Sequence, residues 1–354
     1  MKKDKKKGSG KRGALIALCV VLGILLAVLA GGTVYATHLM NQIGRVEMGA
    51  EETLSQEELD QMLADETVAA DDTTPTFDES EINWGENKVQ IGGEDEENIV
   101  NILLIGQDAR PEWGRSRSDS MILCTFNKEK KSITLTSFMR DLYVQIPGYY
   151  SNRINSAYPA GGMELLDETL ETNFGVHVDG NVEVDFSHFM EVIDLLGGID
   201  IEIRKDEAWY INSTVNGDKM SSERSELTEG MQHLNGAQAL QYSRIRHLDS
   251  DGDFSRTSRQ RIVINAVIEK FRDSKLTTLL GLLDDLLPMV TTDMSNKEMI
   301  ELVTDLFPML ADCTIVSQRI PADDTYHLAM IRGMSVIVAD MDKQREFLKN
   351  TLTD

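Results

Sequence analysis

Cysteine is scarce in this sequence. Only Cys19, Cys124 and Cys313 occur in 354 residues. Three cannot build a disulfide framework, and no Cys-x-x-Cys or Cys/His spacing supports a zinc site. Cys19 falls in an apolar run and the other two in strand-like segments. Two buried thiols are therefore expected, with a Cys124–Cys313 bridge as the alternative. Positive charge is scarce over most of the chain as well. The net charge of -24 divides into +7 over residues 1–45, -17 over 46–97 and -14 over 98–354. Unspecific binding to a nucleic-acid backbone needs clustered cations on an accessible face. So acidic a body excludes it, though not a small local group of arginines. There is no internal repeat. Hydrophobic residues at 41% and charged residues at 27% are ordinary for a globular chain, which excludes wholesale disorder.

What is present begins with an address. Residues 14–35 carry no charge over 22 positions, and as a helix they span about 33 Å, enough to cross a bilayer. Lys2, Lys3, Lys5, Lys6, Lys7, Lys11 and Arg12 precede them. The positive-inside rule then predicts a cytoplasmic tail at 1–13, a transmembrane helix at 14–35 and an extracytoplasmic remainder. The run is longer than the apolar part of a signal peptide and lacks a convincing small-residue cleavage site, so a retained anchor is expected. Residues 36–97 read as an acidic extracytoplasmic linker, solvated and self-repelling from residue 46, with a short helix over 55–64.

From residue 98 onward, strand and helix patterns interleave. Strands are predicted at 98–106, 119–127, 132–138, 182–186, 199–203, 313–320 and 334–338, with a hairpin turn at Lys-rich 128–131. Helices are predicted at 163–174, with Leu165, Leu166, Thr169 and Leu170 on one stripe, and at 187–196. Others fall at 235–241, capped by Asn235, and at 255–272, with Ile262, Val263, Ala266, Val267 and Phe271 inward. Further helices fall at 276–288, 296–310 and 341–352. The fold class is α/β: a mixed central sheet with helices on both faces, filling 98–354.

The chemistry is carried by arginines and aspartates at strand ends and helix starts, where ligands gather in such folds. Gly106, Asp108 and Arg110 follow the first strand, and Arg117, Ser118 and Asp119 open the second. Arg140 and Asp141 end the third. Tyr242-Ser243-Arg244-Ile245-Arg246-His247 is followed by Asp253, Arg256, Arg259 and Gln260. In extended backbone Arg244 and Arg246 point the same way. Arg256 and Gln260 share a helix face, in first turns whose free N–H groups favour an anion. Arginines converging on one place call for a multiply charged anion, and phosphate or pyrophosphate fits guanidinium geometry. Asp108 and Asp119 flank the hairpin and are placed to hold a hard divalent cation, which uses few carboxylates beside phosphate oxygens. The structural alternatives are surface ion pairs for single arginines and an ordinary role for His247. Asp249, Asp251 and Asp253 resemble a loose cation loop without EF-hand spacing.

The chain resembles the LytR-CpsA-Psr family of cell-envelope proteins over roughly residues 98–272. Asn101-Ile102-Leu103-Leu104-Ile105-Gly106 with Asp108 and Arg110, Arg117-Ser118-Asp119, and Arg140-Asp141 carry the first part. Arg153-Ile154-Asn155-Ser156-Ala157-Tyr158 and Leu234-Asn235-Gly236-Ala237-Gln238-Ala239-Leu240 follow, leading into the arginine-rich segment already quoted. Two departures stand out. Phe138-Met139 precede Arg140 where the family has an Ile-Pro-like pair, and Arg153 replaces a common lysine; neither removes a charge. The resemblance implies an enclosed apolar tunnel for a lipid chain. It implies transfer of a phosphoglycan (teichoic acid, capsule or similar) from a polyprenyl-pyrophosphate carrier to peptidoglycan. Arg117, Arg140, Arg244, Arg246, Arg256 and Gln260 would hold the pyrophosphate, and Asp108 and Asp119 Mg²⁺. Asp253 would be the candidate base beside Arg140, Arg244 and Arg246. A membrane-anchored regulator, a carrier-binding protein or a pyrophosphatase are the alternatives. A tail of about a dozen residues leaves no room for a DNA-binding domain.

Overall fold

The computed structural model describes residues 38–47, 49, 53–64, 74–94, 96–107, 118–217, 225–273, 282, 284–310 and 313–353. The expected transmembrane helix at 14–35 and most of the expected helix at 276–288 lie outside the described residues, as do Asp108, Arg110 and Arg117.

Alternating apolar residues build the sheet. Strand β1 is Ile99–Gln107, β2 Ser118–Asn127 and β3 Ser132–Phe138. Ile102, Ile122, Cys124, Ile133 and Leu135 point to one face, while Leu103, Ile105, Met121, Leu123 and Phe138 point to the other. Period-2 alternation with both sets apolar is the signature of a sheet covered on both sides. The expected hairpin forms: β2 and β3 pair antiparallel from Asn127↔Ser132 to Ile122↔Ser137. Helix α2 (Ala157–Phe174) covers the second face, with Leu165, Leu166, Thr169 and Leu170 all buried. It ends at Gly175, in left-handed backbone at φ 71°, where an added Cβ would come 1.9 Å from the Val89 carbonyl oxygen. Only glycine fits there.

Strand β4 (Gly180–Asp185) runs parallel to β1. Asp185 caps helix α3 (Phe186–Leu195) by accepting from the His188 N–H. Strand β5 (Ile199–Ile203) is followed by helix α4 (Lys205–Gly217) and strand β6 (Gly230–Leu234), which pairs antiparallel with β5. Asn235 and Gln238 form a capping box that starts helix α5 (Gly236–Arg244). Helix α6 is Asp253–Asp273 and α7 is Asn296–Leu310. Strands β7 (Thr314–Ile320), β8 (Tyr326–Ile331) and β9 (Met334–Ala339) and helix α8 (Met341–Leu352) complete the chain. Among the described residues the main sheet has seven strands, ordered Gly44–Arg45, Thr291–Thr292, β4, β1, β2, β3, β7. Helices α3 to α7 pack on one face, α2 and α8 on the other.

Two expectations change. In α6, Val263 and Val267 are buried but Ile262 is 40% exposed, because it lies off the stripe that meets the sheet. The segment read as a solvated linker packs onto the body. Ser55 and Glu58 start helix α1 (Gln56–Ala64) as a capping box, and Leu59 and Ile91 are fully buried. Ile91 forms a parallel bridge with Val176, and Gly44–Arg45 adds an edge strand to the main sheet. High net acidity concealed a few apolar anchors spaced well apart. Elements α4, β6 and β8 carried too little apolar periodicity to be legible. Cys124 and Cys313 are buried, unbridged thiols, and burial pushes the Cys124 thiol up to about 12.

Candidate active site

The site forms where β1 and β3 end and α6 begins. Asp253, the first residue of α6, stands at its centre. Its Oδ2 accepts from Arg256 Nη2 at 2.9 Å, one helical turn on. Its Oδ1 lies 3.6 Å from Arg246 Nε and 3.8 Å from Arg140 Nε. Arg140 is brought there by β3 and also approaches Asp141 at 3.6 Å. Asp141 in turn lies 3.6 Å from Arg153, whose Nε donates to the Ser335 carbonyl at 3.1 Å. Burial holds the Arg153 pKa below the usual guanidinium value, with Asp141 opposing. Four of the sequence-derived residues, Arg140, Arg246, Asp253 and Arg256, therefore meet in one constellation. Arg256 is 2% exposed and Arg246 is half-buried.

Arg244 behaves differently from the expectation. It closes α5, and Ile245 breaks the helix, so Arg244 and Arg246 are not two residues of one extended strand. The Arg244 guanidinium lies 5.1 Å from the centre of the Phe186 ring, on an exposed side of the site. Asp119 belongs to β2, opposite a β-bulge between Gly106 and Gln107. In that register Gly106 pairs with Ser120 and Gln107 with Ser118. The described residues contain no group of three or more His, Cys, Asp or Glu arranged to hold a metal.

An apolar cavity opens beside this constellation. Phe186, Phe189, Val184, Leu240, Val263 and Ile264 line it, between the sheet and helices α3, α5 and α6. Its volume is about 120 Å³. Protein interiors are otherwise packed to crystal density. Polar side chains enter its wall at Ser120, Ser243 and Gln260. Gly106 also lines it, and a Cβ there would stand 3.1 Å from Ser120 Cβ. Gln260 thus sits in the cavity wall one turn beyond Arg256, linking the arginines to the apolar space.

Behind the site lies a network of charged groups with little signal in the sequence. Glu207, on the unassigned α4, is 3% exposed and accepts from Arg259 Nε at 2.8 Å. Arg259 also donates to the Ile245 carbonyl at 3.2 Å and to Asp249. Arg204 meets Asp249 at 2.9 Å. Burial would raise the Asp249 pKa, but the Arg259 hydrogen bond and the two guanidinium charges hold it below the usual carboxylate value. Asp249 serves as a counter-ion to Arg259 and Arg204. This network fixes the backbone on which Arg246 is mounted. Arg259 and Asp249 stood out in the sequence, but nothing there joined them to Glu207.

The LytR_cpsA_psr family model matches residues 60–352. The regulatory protein MsrR of Staphylococcus aureus (strain COL) is 37% identical over 170 residues, 48% of either chain. The chain thus spans about half the length of the first curated relatives it matches. A protein of Bacillus anthracis (strain CDC 684 / NRRL 3495) is 29% identical over 326 residues, covering 92% of this chain and 93% of the other. That relative is named polyisoprenyl-teichoic acid–peptidoglycan teichoic acid transferase TagU. Among solved structures, YwtF (TagT) with bound octaprenyl pyrophosphate lipid aligns with TM-score 0.55 at 25% identity, over 74% of this chain and 94% of that one. YwtF is a Bacillus subtilis protein.

Proposed function

The chain belongs to the LytR_cpsA_psr family, and from that premise we propose that it transfers a phosphoglycan from a polyprenyl-pyrophosphate carrier to peptidoglycan outside the cell membrane. One observation carries the reading: a group of arginines gathers on Asp253 at the start of α6, and one helical turn beyond Arg256 the same helix places Gln260 in the wall of an apolar cavity. A polyprenyl pyrophosphate has the same two halves, a long apolar chain and a multiply charged head. A residue 14–35 anchor would hold the body against the membrane in which such carriers lie.

In the reaction, the acceptor hydroxyl attacks the phosphorus that bears the glycan. A new O–P bond forms and the bridging P–O bond breaks. Polyprenyl phosphate leaves with the electron pair, and the hydroxyl proton passes to a base or to water. Charge neutralisation and alignment dominate such transfers. Arg140, Arg246 and Arg256 would stabilise charge on the leaving phosphate, with Arg117 and Arg244 flanking and Gln260 at the junction with the lipid. Asp253 is engaged by three guanidiniums. It is better placed to orient them than to act as the base. Asp108 and Asp119 would hold Mg²⁺, which when bound supplies further positive charge to the pyrophosphate oxygens.

The test is turnover of a polyprenyl-pyrophosphate glycan by the full chain in detergent. Arg246→Ala is expected to lower kcat/KM at least about a hundredfold, the usual effect of losing one transition-state contact, with the melting temperature little changed. Turnover by Arg246→Ala at the parent rate contradicts the assignment.

A further inference from the structure

Helix α6 presents a second face that the proposed reaction does not use. Asp253, Arg256 and Gln260 look toward the site and the cavity. Phe254, Thr257, Arg261 and Asn265 lie about 100° further round the helix. On that side, at the β7 edge of the sheet, Arg261 is nine-tenths buried. Its Nη1 donates to Ser137 Oγ at 2.8 Å, and among the described residues no carboxylate reaches it. A second cation, Arg319, stands across the β3–β7 sheet register from Ser137. Burial, and then the Arg319 charge, push the Arg261 pKa down to about 10.

Arg319 is fixed in place. Its guanidinium lies 4.5 Å from the Phe254 ring centre and 5.7 Å from that of Tyr326. It donates to the Pro321 carbonyl and to Asp323, whose side chain is 84% exposed and so only weakly compensates it. Ser317, on the same face of β7, accepts from Asn265 at 3.4 Å where the arrangement meets solvent. Two arginines on neighbouring elements that meet at Ser137's register, one buried with no acid among the described residues, are costly unless an anion joins them. Each guanidinium has five donors, and Ser137 occupies only one of those on Arg261.

We infer that Arg261 and Arg319, with Ser137, Ser317 and Asn265 around them, form a second oxyanion site for a phosphate group. The site is distinct from the Asp253 constellation and does not depend on the transfer reading. Its ligand is a phosphate monoester or a phosphodiester, recognised by paired guanidiniums and hydroxyl groups.

The experiment uses the full chain in detergent with Arg246→Ala as background, so that the Asp253 site responds weakly. Inorganic phosphate and a short glycerol-phosphate oligomer are each titrated while the melting temperature is followed. A saturable rise is expected. Adding Arg319→Gln, or Arg261→Gln, should weaken apparent affinity about tenfold, the loss of roughly one charge-assisted hydrogen bond. Arg261→Lys should restore part of it. Arg319 lies at the rim, so Arg319→Gln decides the matter if Arg261→Gln does not fold. Tighter binding of the oligomer identifies a polymer phosphodiester as the source, and equal binding identifies free phosphate; both support the site. No saturable response in the background, or unchanged affinity in Arg319→Gln, overturns it.

Discussion

Asp253 shows how much one carboxylate can organise. It gathers guanidiniums from the end of β3, the loop after α5 and the first turn of α6. Each of these side chains was legible in the sequence, because arginines next to strand ends and helix starts are informative by type and place. Their support was not. Glu207 lies on a helix whose buried residues, Ala208, Ile211 and Val215, are spread among polar ones, so neither the helix nor its acid could be read. Glu207→Gln leaves Arg259 without its buried partner. It is expected to cost roughly 3 kcal/mol of stability, the usual penalty for breaking a buried pair. It should also lower kcat through displacement of the loop bearing Arg246. Chemical denaturation together with kinetics checks both. An unchanged unfolding midpoint would show that the pair carries no such role.

At the scale of elements, the strands and helices of the body were largely legible because their apolar residues repeat with period 2 or fall on helical stripes. The hairpin of β2 and β3 is the clearest case. The segments before residue 98 were not, since acidic composition outweighed single anchors such as Leu59 and Ile91. Burial of those anchors makes a prediction. Leu59→Ala should cost about 3 kcal/mol, as for other buried leucines, and a chain beginning at residue 98 should melt at lower temperature than one beginning at residue 38. Equal melting temperatures for the two chains would show that the packed segment adds nothing.

For the whole molecule, the relation between arginines and cavity matters most. An apolar cavity and an apolar core use the same residue types, so the sequence could not separate them; the structure does. Helices α3, α5 and α6 stand far enough from the sheet to leave open space beside Gln260. Filling that space should discriminate the two halves of the substrate. Val184→Trp is expected to raise KM for a long-chain carrier at least tenfold, by excluding a lipid chain from the cavity. A short-chain carrier should be turned over as before, which parallel kinetics on both substrates would reveal.

The most direct measurement is of product. The full chain is incubated with a polyprenyl-pyrophosphate glycan and peptidoglycan fragments, with and without Mg²⁺, and the fragments are analysed by mass spectrometry. A glycan joined to the fragment through a phosphodiester, with polyprenyl phosphate released in equal amount, is the predicted result. Release of polyprenyl phosphate with no glycan on any fragment, or tight carrier binding with no turnover at all, would contradict it.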